Sequence, residues 1–325
     1  SMWINLLWLV LGLVLILAGA NFLTDGASAI AKKFGISNLV IGLTVVAFGT
    51  STPELVISIV AAINGSAPLA VGNVVGSNIF NILAIIGITA IVRPINIEKS
   101  VMTTEIPMVI LSSVILLTLG YTFVLDGTPN IVSRVDGILL LIFFILFMRY
   151  TFATARRKDP AVTDPAETAS SSISLPLWRS VLYVIGGLAA LVWGGDKFVG
   201  GATGIAHAIG VSDAVIGLTI VAVGTSLPEL ATSVVAAAKN QAAIAVGNVI
   251  GSNIFNVLMV LGTAAVVRPL PFDGITHTDL WVLMGASLMF FIFGWQFRHR
   301  QITRAEGIIM ASCYIAYSAW LVATV

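Results

Sequence analysis

The sequence predicts an all-α polytopic membrane protein with ten transmembrane helices, arranged as two inverted-topology repeats of five, and three observations carry that expectation. First, 58% of the 325 residues are hydrophobic and 10% are charged, with a mean hydropathy of +1.03. A soluble domain carries about 25% charged residues, so this chain has too few charges to cover a surface in water. Second, the apolar residues gather into ten long runs, each close to the ~20 residues that cross a bilayer as a helix. Third, the chain is written twice. Residues 42–55 (GLTVVAFGTSTPEL) match 217–230 (GLTIVAVGTSLPEL) at 11 of 14 positions, and 70–83 (AVGNVVGSNIFNIL) match 245–258 (AVGNVIGSNIFNVL) at 12 of 14. Both matches share an offset of 175 residues, which Arg93-Pro94 and Arg268-Pro269 also keep. A unit with an odd number of helices must enter the membrane from opposite sides in its two copies, the arrangement of many secondary transporters.

In order, the expected spans are 3–23, 39–63, 69–92, 105–125 and 131–150, then 178–199, 212–238, 243–267, 279–297 and 305–324. The first has no basic residues ahead of it and reads as a retained helix rather than a cleaved leader. The second and third carry the two motifs of the first repeat, the seventh and eighth their copies. These runs are too long and unbroken for barrel strands. The one polar stretch long enough to be a linker contains Arg156-Arg157-Lys158-Asp159-Pro160 and Ser170-Ser171-Ser172. It divides the chain into a first five-helix repeat (1–150), a cytoplasmic linker (151–177) and a second repeat (178–325). Of the 16 Lys and Arg residues, 13 fall on one side of this arrangement; Arg134, Lys197 and Arg268 fall on the other. The basic side faces the cytoplasm, which places both termini outside, in what reads as a prokaryotic inner membrane. A net charge of +1 points to no nucleic-acid partner, and the single cysteine, Cys313, offers no internal disulfide. The lipid bilayer is the expected partner, with a monomer as the working unit.

Glu54 and Glu229 stand mid-span. Small residues alone would fit a packing role for the repeat, but an ionisable residue at that depth marks function by default. Each follows a proline: in Gly49-Thr50-Ser51-Thr52-Pro53-Glu54 and Gly224-Thr225-Ser226-Leu227-Pro228-Glu229 the proline removes a backbone donor and breaks the helix. The break is expected to turn the carbonyls of Ala47 and Thr50, and of Ala222 and Thr225, into a polar cavity. The second motif adds Ser77 and Asn81, with Ser252 and Asn256 in the copy; the i, i+4 spacing puts each pair on one helix face. For Asn73 and Asn78, interhelical hydrogen bonding and ligation are equally good readings. His207, His277 and His299 fall in loops or at helix ends and read as solvated. All these ligands are oxygens, which suit hard cations rather than soft transition metals. The chemistry reaches transport of Ca2+, Na+ or H+, and no resident cofactor is expected.

At these motifs the sequence resembles the calcium/cation antiporter superfamily, and within it the sodium/calcium exchanger branch. The resemblance implies an antiporter rather than an enzyme, in which Na+ enters as Ca2+ leaves by alternating access. By position it implies Ca2+ on Glu54 and Glu229 with the carbonyls of Thr50 and Thr225. Flanking Na+ sites would use Ala47, Ser51 and Ser77, and Ala222, Ser226 and Ser252. Thr-Ser-x-Pro-Glu favours sodium over proton coupling; a Ca2+/H+ or K+-dependent antiporter is the alternative. This chain departs from the branch at Asn256, where its well-known members carry aspartate, and its linker has no room for the large regulatory domain of animal exchangers. An intramembrane enzyme and a channel are the rivals from other classes; the first lacks a nucleophile–base pair, and a twofold repeat suits rocking better than a pore.

Overall fold

Within a bilayer every backbone N–H and C=O must be paired inside its own segment, so the long apolar runs become helices. A computed structural model describes residues 2–155, 174–211, 216, 220, 222–295 and 300–324. Among them, eight helices are long and apolar enough to cross a membrane, or nine if the bent pair Asn38–Thr50 and Thr52–Ile63 counts as one span. In chain order these are α1 (Met2–Phe34), the bent pair α2 (Asn38–Thr50) and α3 (Thr52–Ile63), α4 (Ala67–Val92), α5 (Val101–Leu119), and, after the short α6 (Thr122–Asp126), α7 (Arg134–Ala155). The second half has α8 (Leu177–Ala208), α9 (Leu227–Ala238), α10 (Ala242–Val267), α11 (His277–Trp295) and α12 (Arg304–Ala323). The expected span 212–238 lies partly outside the described residues; of it the structure shows the short helical piece Ala222–Gly224 and α9. The chain is an integral, multi-pass membrane protein.

Two helices exceed their expected lengths. The first was expected over 3–23 and runs Met2–Phe34; the sixth was expected over 178–199 and runs Leu177–Ala208. The reason is a glycine stripe. Gly12 and Gly19 of α1 meet Gly194 and Gly187 of α8, so the two helices lie antiparallel. A Cβ at Gly19 would sit 2.7 Å from the Gly187 carbonyl oxygen, and one at Gly187 would sit 2.7 Å from that of Gly19. The close approach continues into both extensions: a Cβ at Gly26 would sit 2.7 Å from the Ser180 carbonyl oxygen, and one at Gly201 2.5 Å from that of Asn5. Asp25, in the extension of α1, is paired with Lys239 beyond the end of α9 at 2.7 Å. The residues 175 positions away are Gly200 and Asn64, so the ion pair exists in one repeat orientation only. The expected linker also shrinks at its ends: α7 continues through Ala155 and α8 begins at Leu177. The rest of it, 156–173, lies outside the described residues.

Four two-residue strands went unforeseen. Ile95–Asn96 pairs antiparallel with Gln301–Ile302, and Ile131–Val132 with Leu270–Pro271. Each ribbon joins a loop of one repeat to a loop of the other. They are too short for a sequence period of two to register.

The two copies of the second motif sit on α4 and α10, whose most apolar stretches are 83% and 89% buried, against 11–44% for the other spanning helices. These two helices are therefore the centre of the molecule. Each contains a π-helical turn, Phe80–Ile85 and Asn256–Leu261. Widened turns of this kind recur at functional sites, and these begin next to Asn81 and at Asn256.

Candidate cation site

The helix breaks form where proline and glycine require them. α2 and α3 meet at Ser51 with a 45° bend. Ser51 (φ −85°, ψ 5°) and Ser226 (φ −96°, ψ 8°) have left the helical region, and Pro53 and Pro228 each occupy the first turn of the following helix. Gly49 is needed for a second reason: a Cβ there would lie 2.6 Å from Leu188 of α8. The breaks place Glu54 and Glu229 in the first turns of α3 and α9. There the unpaired N–H groups and the helix dipole favour negative charge.

Both glutamates are fully buried. Each accepts a hydrogen bond from the serine of the opposite repeat: Ser51 Oγ donates to Glu229 Oε1 at 3.2 Å, and Ser226 Oγ to Glu54 Oε1 at 3.1 Å. These crossed bonds draw the two broken segments together at the middle of the protein. The second carboxylate oxygens, Glu54 Oε2 and Glu229 Oε2, have no hydrogen-bond partner in the protein, and neither do Asn81 Oδ1 and Asn256 Oδ1. Buried polar atoms are almost always paired. Four unpaired acceptors, two from each repeat and two of them carboxylate oxygens, make up a donor set fit for a hard cation.

The remaining expected residues fall as follows. Ala47, Thr50, Ser51, Ser77, Ser226 and Ser252 are buried. The Ala47 carbonyl accepts the Ser51 N–H at 3.0 Å, an ordinary helical bond, so the break does not free it from the backbone as expected. In the copy, the Ser226 N–H bonds to the Val223 carbonyl at 3.0 Å. Ala222 is exposed and Thr225 half-buried. Thr50 Oγ1 donates to Asn248 Oδ1 at 3.0 Å, whereas Thr225 Oγ1 has no partner. On α4, Asn73 is half-buried and Gly76 exposed, with open space where its Cβ would be. Their counterparts Asn248 and Gly251 are buried, and a Cβ at Gly251 would sit 2.6 Å from Ala47 Cβ. Among the described residues, α10 thus packs closely on α2 at Gly251, and Gly76 of α4 makes no equivalent contact.

For Asn73 and Asn78 the structure places interhelical hydrogen bonds. Asn73 Nδ2 donates to the Glu54 carbonyl (3.2 Å) and to Ser58 Oγ (3.0 Å); Asn248 does the same for the Glu229 carbonyl (3.3 Å) and Ser233 Oγ (3.1 Å). Ser58 and Ser233 belong to this support and were passed over in the sequence. Their signal was the i, i+4 spacing from each glutamate, which puts both on the glutamate's helix face. His277 is exposed at the start of α11, as expected, and its ring also stacks on Tyr121 at 3.9 Å, with Nε2 3.2 Å from the Gly120 carbonyl. His299 lies outside the described residues. Among the described residues no three His, Cys, Asp or Glu side chains cluster.

Known proteins resemble this chain in sequence and in fold. The family model described as sodium/calcium exchanger protein matches residues 4–153 and 179–323. The inner membrane protein YrbG of Escherichia coli is 36% identical over 323 residues, covering 96% of this chain and 95% of its own. The sodium/calcium exchanger MaX1 of Methanosarcina acetivorans is 33% identical over 348 residues, covering 97% of each. A solved structure of the sodium-calcium exchanger NCX_Mj superimposes with a TM-score of 0.82 at 34% identity, over 99% of this chain and 100% of that one.

Proposed function

The chain belongs to the sodium/calcium exchanger protein family, a family of transporters, and from that premise we propose that it exchanges Na+ for Ca2+ by alternating access. Ca2+ is held between Glu54 and Glu229. The observation that carries this reading is the set of four buried, unpaired acceptor oxygens on Glu54, Glu229, Asn81 and Asn256. Burying two carboxylates costs several kcal/mol per ion unless they are paired, and a divalent cation pairs both at once. Ser51, Ser77 and the Ala47 carbonyl, with Ser226, Ser252 and the Ala222 carbonyl, flank the centre as Na+ ligands. Thr50 and Thr225 contribute carbonyls to Ca2+. The transported ions are the only metals; no resident cofactor is needed.

Alternating access is supported by the way the two repeats differ. Identical motifs in identical conformations would be equally exposed. Instead Thr50 is bonded to Asn248 and buried, while Thr225 has no partner and Asn73 is half-buried. A switch of states would exchange these environments between the repeats.

Purified protein in liposomes separates this reading from its rivals. 45Ca2+ uptake should require an outward Na+ gradient. Uptake without any counter-ion would indicate a channel, and uptake driven by a proton gradient or dependent on K+ would indicate another coupling.

The ten-helix count, the division into repeats 1–150 and 178–325 around a cytoplasmic linker, and the outside location of both termini belong to the same proposal. Single cysteines at Thr128 and Ser171, introduced after Cys313→Ser, should react with an impermeant maleimide from opposite sides of the membrane, Ser171 from the cytoplasm. Ser171 lies outside the described residues, so labelling is the direct check. Reaction of both from one side would reject the inverted repeat.

A further inference from the structure

We propose that Asn78 and Asn253 are positioning residues that fix which atom of Asn256 and of Asn81 faces the transported cation, each acting across the repeat boundary. This rests on the exchanger reading above and adds to it two residues that are not among its ligands.

The argument follows the direction of four hydrogen bonds. A backbone carbonyl can only accept. Asn78 therefore turns its amide nitrogen to the Asn253 carbonyl, with Nδ2 donating at 3.2 Å. That choice leaves Asn78 Oδ1 on the other side of the amide, where it accepts from Asn256 Nδ2 at 3.0 Å. With its nitrogen engaged, Asn256 must point Oδ1 away from Asn78, and that oxygen has no partner in the protein. The second relay repeats the first. Asn253 Nδ2 donates to the Asn78 carbonyl at 3.4 Å, Asn253 Oδ1 accepts from Asn81 Nδ2 at 3.0 Å, and Asn81 Oδ1 has no partner. All four side chains are at most 1% exposed, so water does not compete for these bonds.

The consequence is chemical. A rotated asparagine amide would offer the cation an N–H donor in place of an oxygen, and a cation cannot be ligated by it. Each backbone carbonyl thus sets, through one intervening amide of the other repeat, the orientation of an amide in its own repeat. The relay also demands a donor at position 256. Asparagine supplies it; an ionised aspartate would place an acceptor against Asn78 Oδ1. This gives a local reason for the departure from the branch at this position.

The test is a double-mutant cycle on full-length protein, read as the half-saturating Ca2+ concentration in thermal-shift titrations and as the KM for Ca2+ in Na+-driven uptake. Asn78→Ala should raise both about tenfold. The combination Asn78→Ala with Asn256→Ala should be no worse than Asn256→Ala alone, because Asn78 acts through Asn256. Asn78→Ala with Asn81→Ala, its neighbour in its own repeat, should show additive losses. If Asn78→Ala does not fold, the mirror pair Asn253→Ala and Asn81→Ala carries the same cycle. Losses that add in the Asn78/Asn256 cycle, with wild-type exchange intact, overturn the relay and leave the function standing. Wild-type protein that binds Ca2+ without exchanging it overturns the function, while the binding cycle still decides the relay. Wild-type protein that neither binds nor exchanges Ca2+ overturns both.

Discussion

Glu54→Gln and Glu229→Gln should each abolish Na+-driven Ca2+ uptake, a loss of at least about a hundredfold, while leaving the protein folded. Glutamine keeps the volume of glutamate, and its amide oxygen can still accept the bond from Ser226 or Ser51 that now ends on Oε1. What changes is the charge and the atom facing the ion. The unpaired Oε2 becomes an NH2 group, which repels a cation, and the site retains one negative charge against an ion carrying two. Leaving part of a charge uncompensated in a buried site costs roughly 3–5 kcal/mol, more than the ~2.7 kcal/mol that a hundredfold loss represents. The check is 45Ca2+ uptake in proteoliposomes, paired with the melting temperature and elution profile of each variant in detergent. Near-normal uptake by either variant would mean that the cation is held elsewhere.

Exchange should also respond strongly to membrane voltage. Two arguments meet here and point in opposite directions. Among the described residues no third carboxylate joins Glu54 and Glu229 in a cluster, and position 256 is a neutral asparagine. One Ca2+ or two Na+ neutralise that site, and a third Na+ leaves a net positive charge in a medium where unpaired charge costs several kcal/mol. Charge alone therefore favours an electroneutral two-for-one exchange. Oxygen count favours the other outcome. In the proposed site, Ser51, Ser77 and Ala47 on one flank and Ser226, Ser252 and Ala222 on the other would supply both hydroxyl-lined positions, and the unpaired oxygens of Asn81 and Asn256 would add ligands at the middle. We expect the ligand set to prevail, giving three Na+ per Ca2+ and one net charge per cycle. At about 2.3 kcal/mol per charge per 100 mV, the Ca2+ gradient that exchange sustains would shift about fiftyfold per 100 mV. Liposomes clamped with K+ and valinomycin provide the measurement. Flux indifferent to voltage would establish that the two-charge balance governs coupling.

The centre of this protein was legible in the sequence for identifiable reasons. A buried carboxylate is expensive, so Glu54 and Glu229 stood out against a chain with 10% charged residues. Pro53 and Pro228 announced the helix breaks, because a missing N–H acts on its own turn and needs no distant partner. The offset of 175 residues revealed the repeat. Each of these is a local property or a comparison of the chain with itself.

What only the tertiary structure decided involves pairs of residues whose separation depends on how segments dock. Ser51 bonds to Glu229, 178 residues away, and not to the glutamate three residues on. The glycine stripes of α1 and α8 lie backbone to backbone into both extensions. The directions of the Asn78 and Asn253 amides are each set by a carbonyl in the opposite repeat. The difference between the repeats is the clearest case. Two nearly identical motifs cannot by themselves say which will be buried. Asn73 and Asn248 are equivalent in sequence, and only the docking of the helices leaves one half-buried and the other buried.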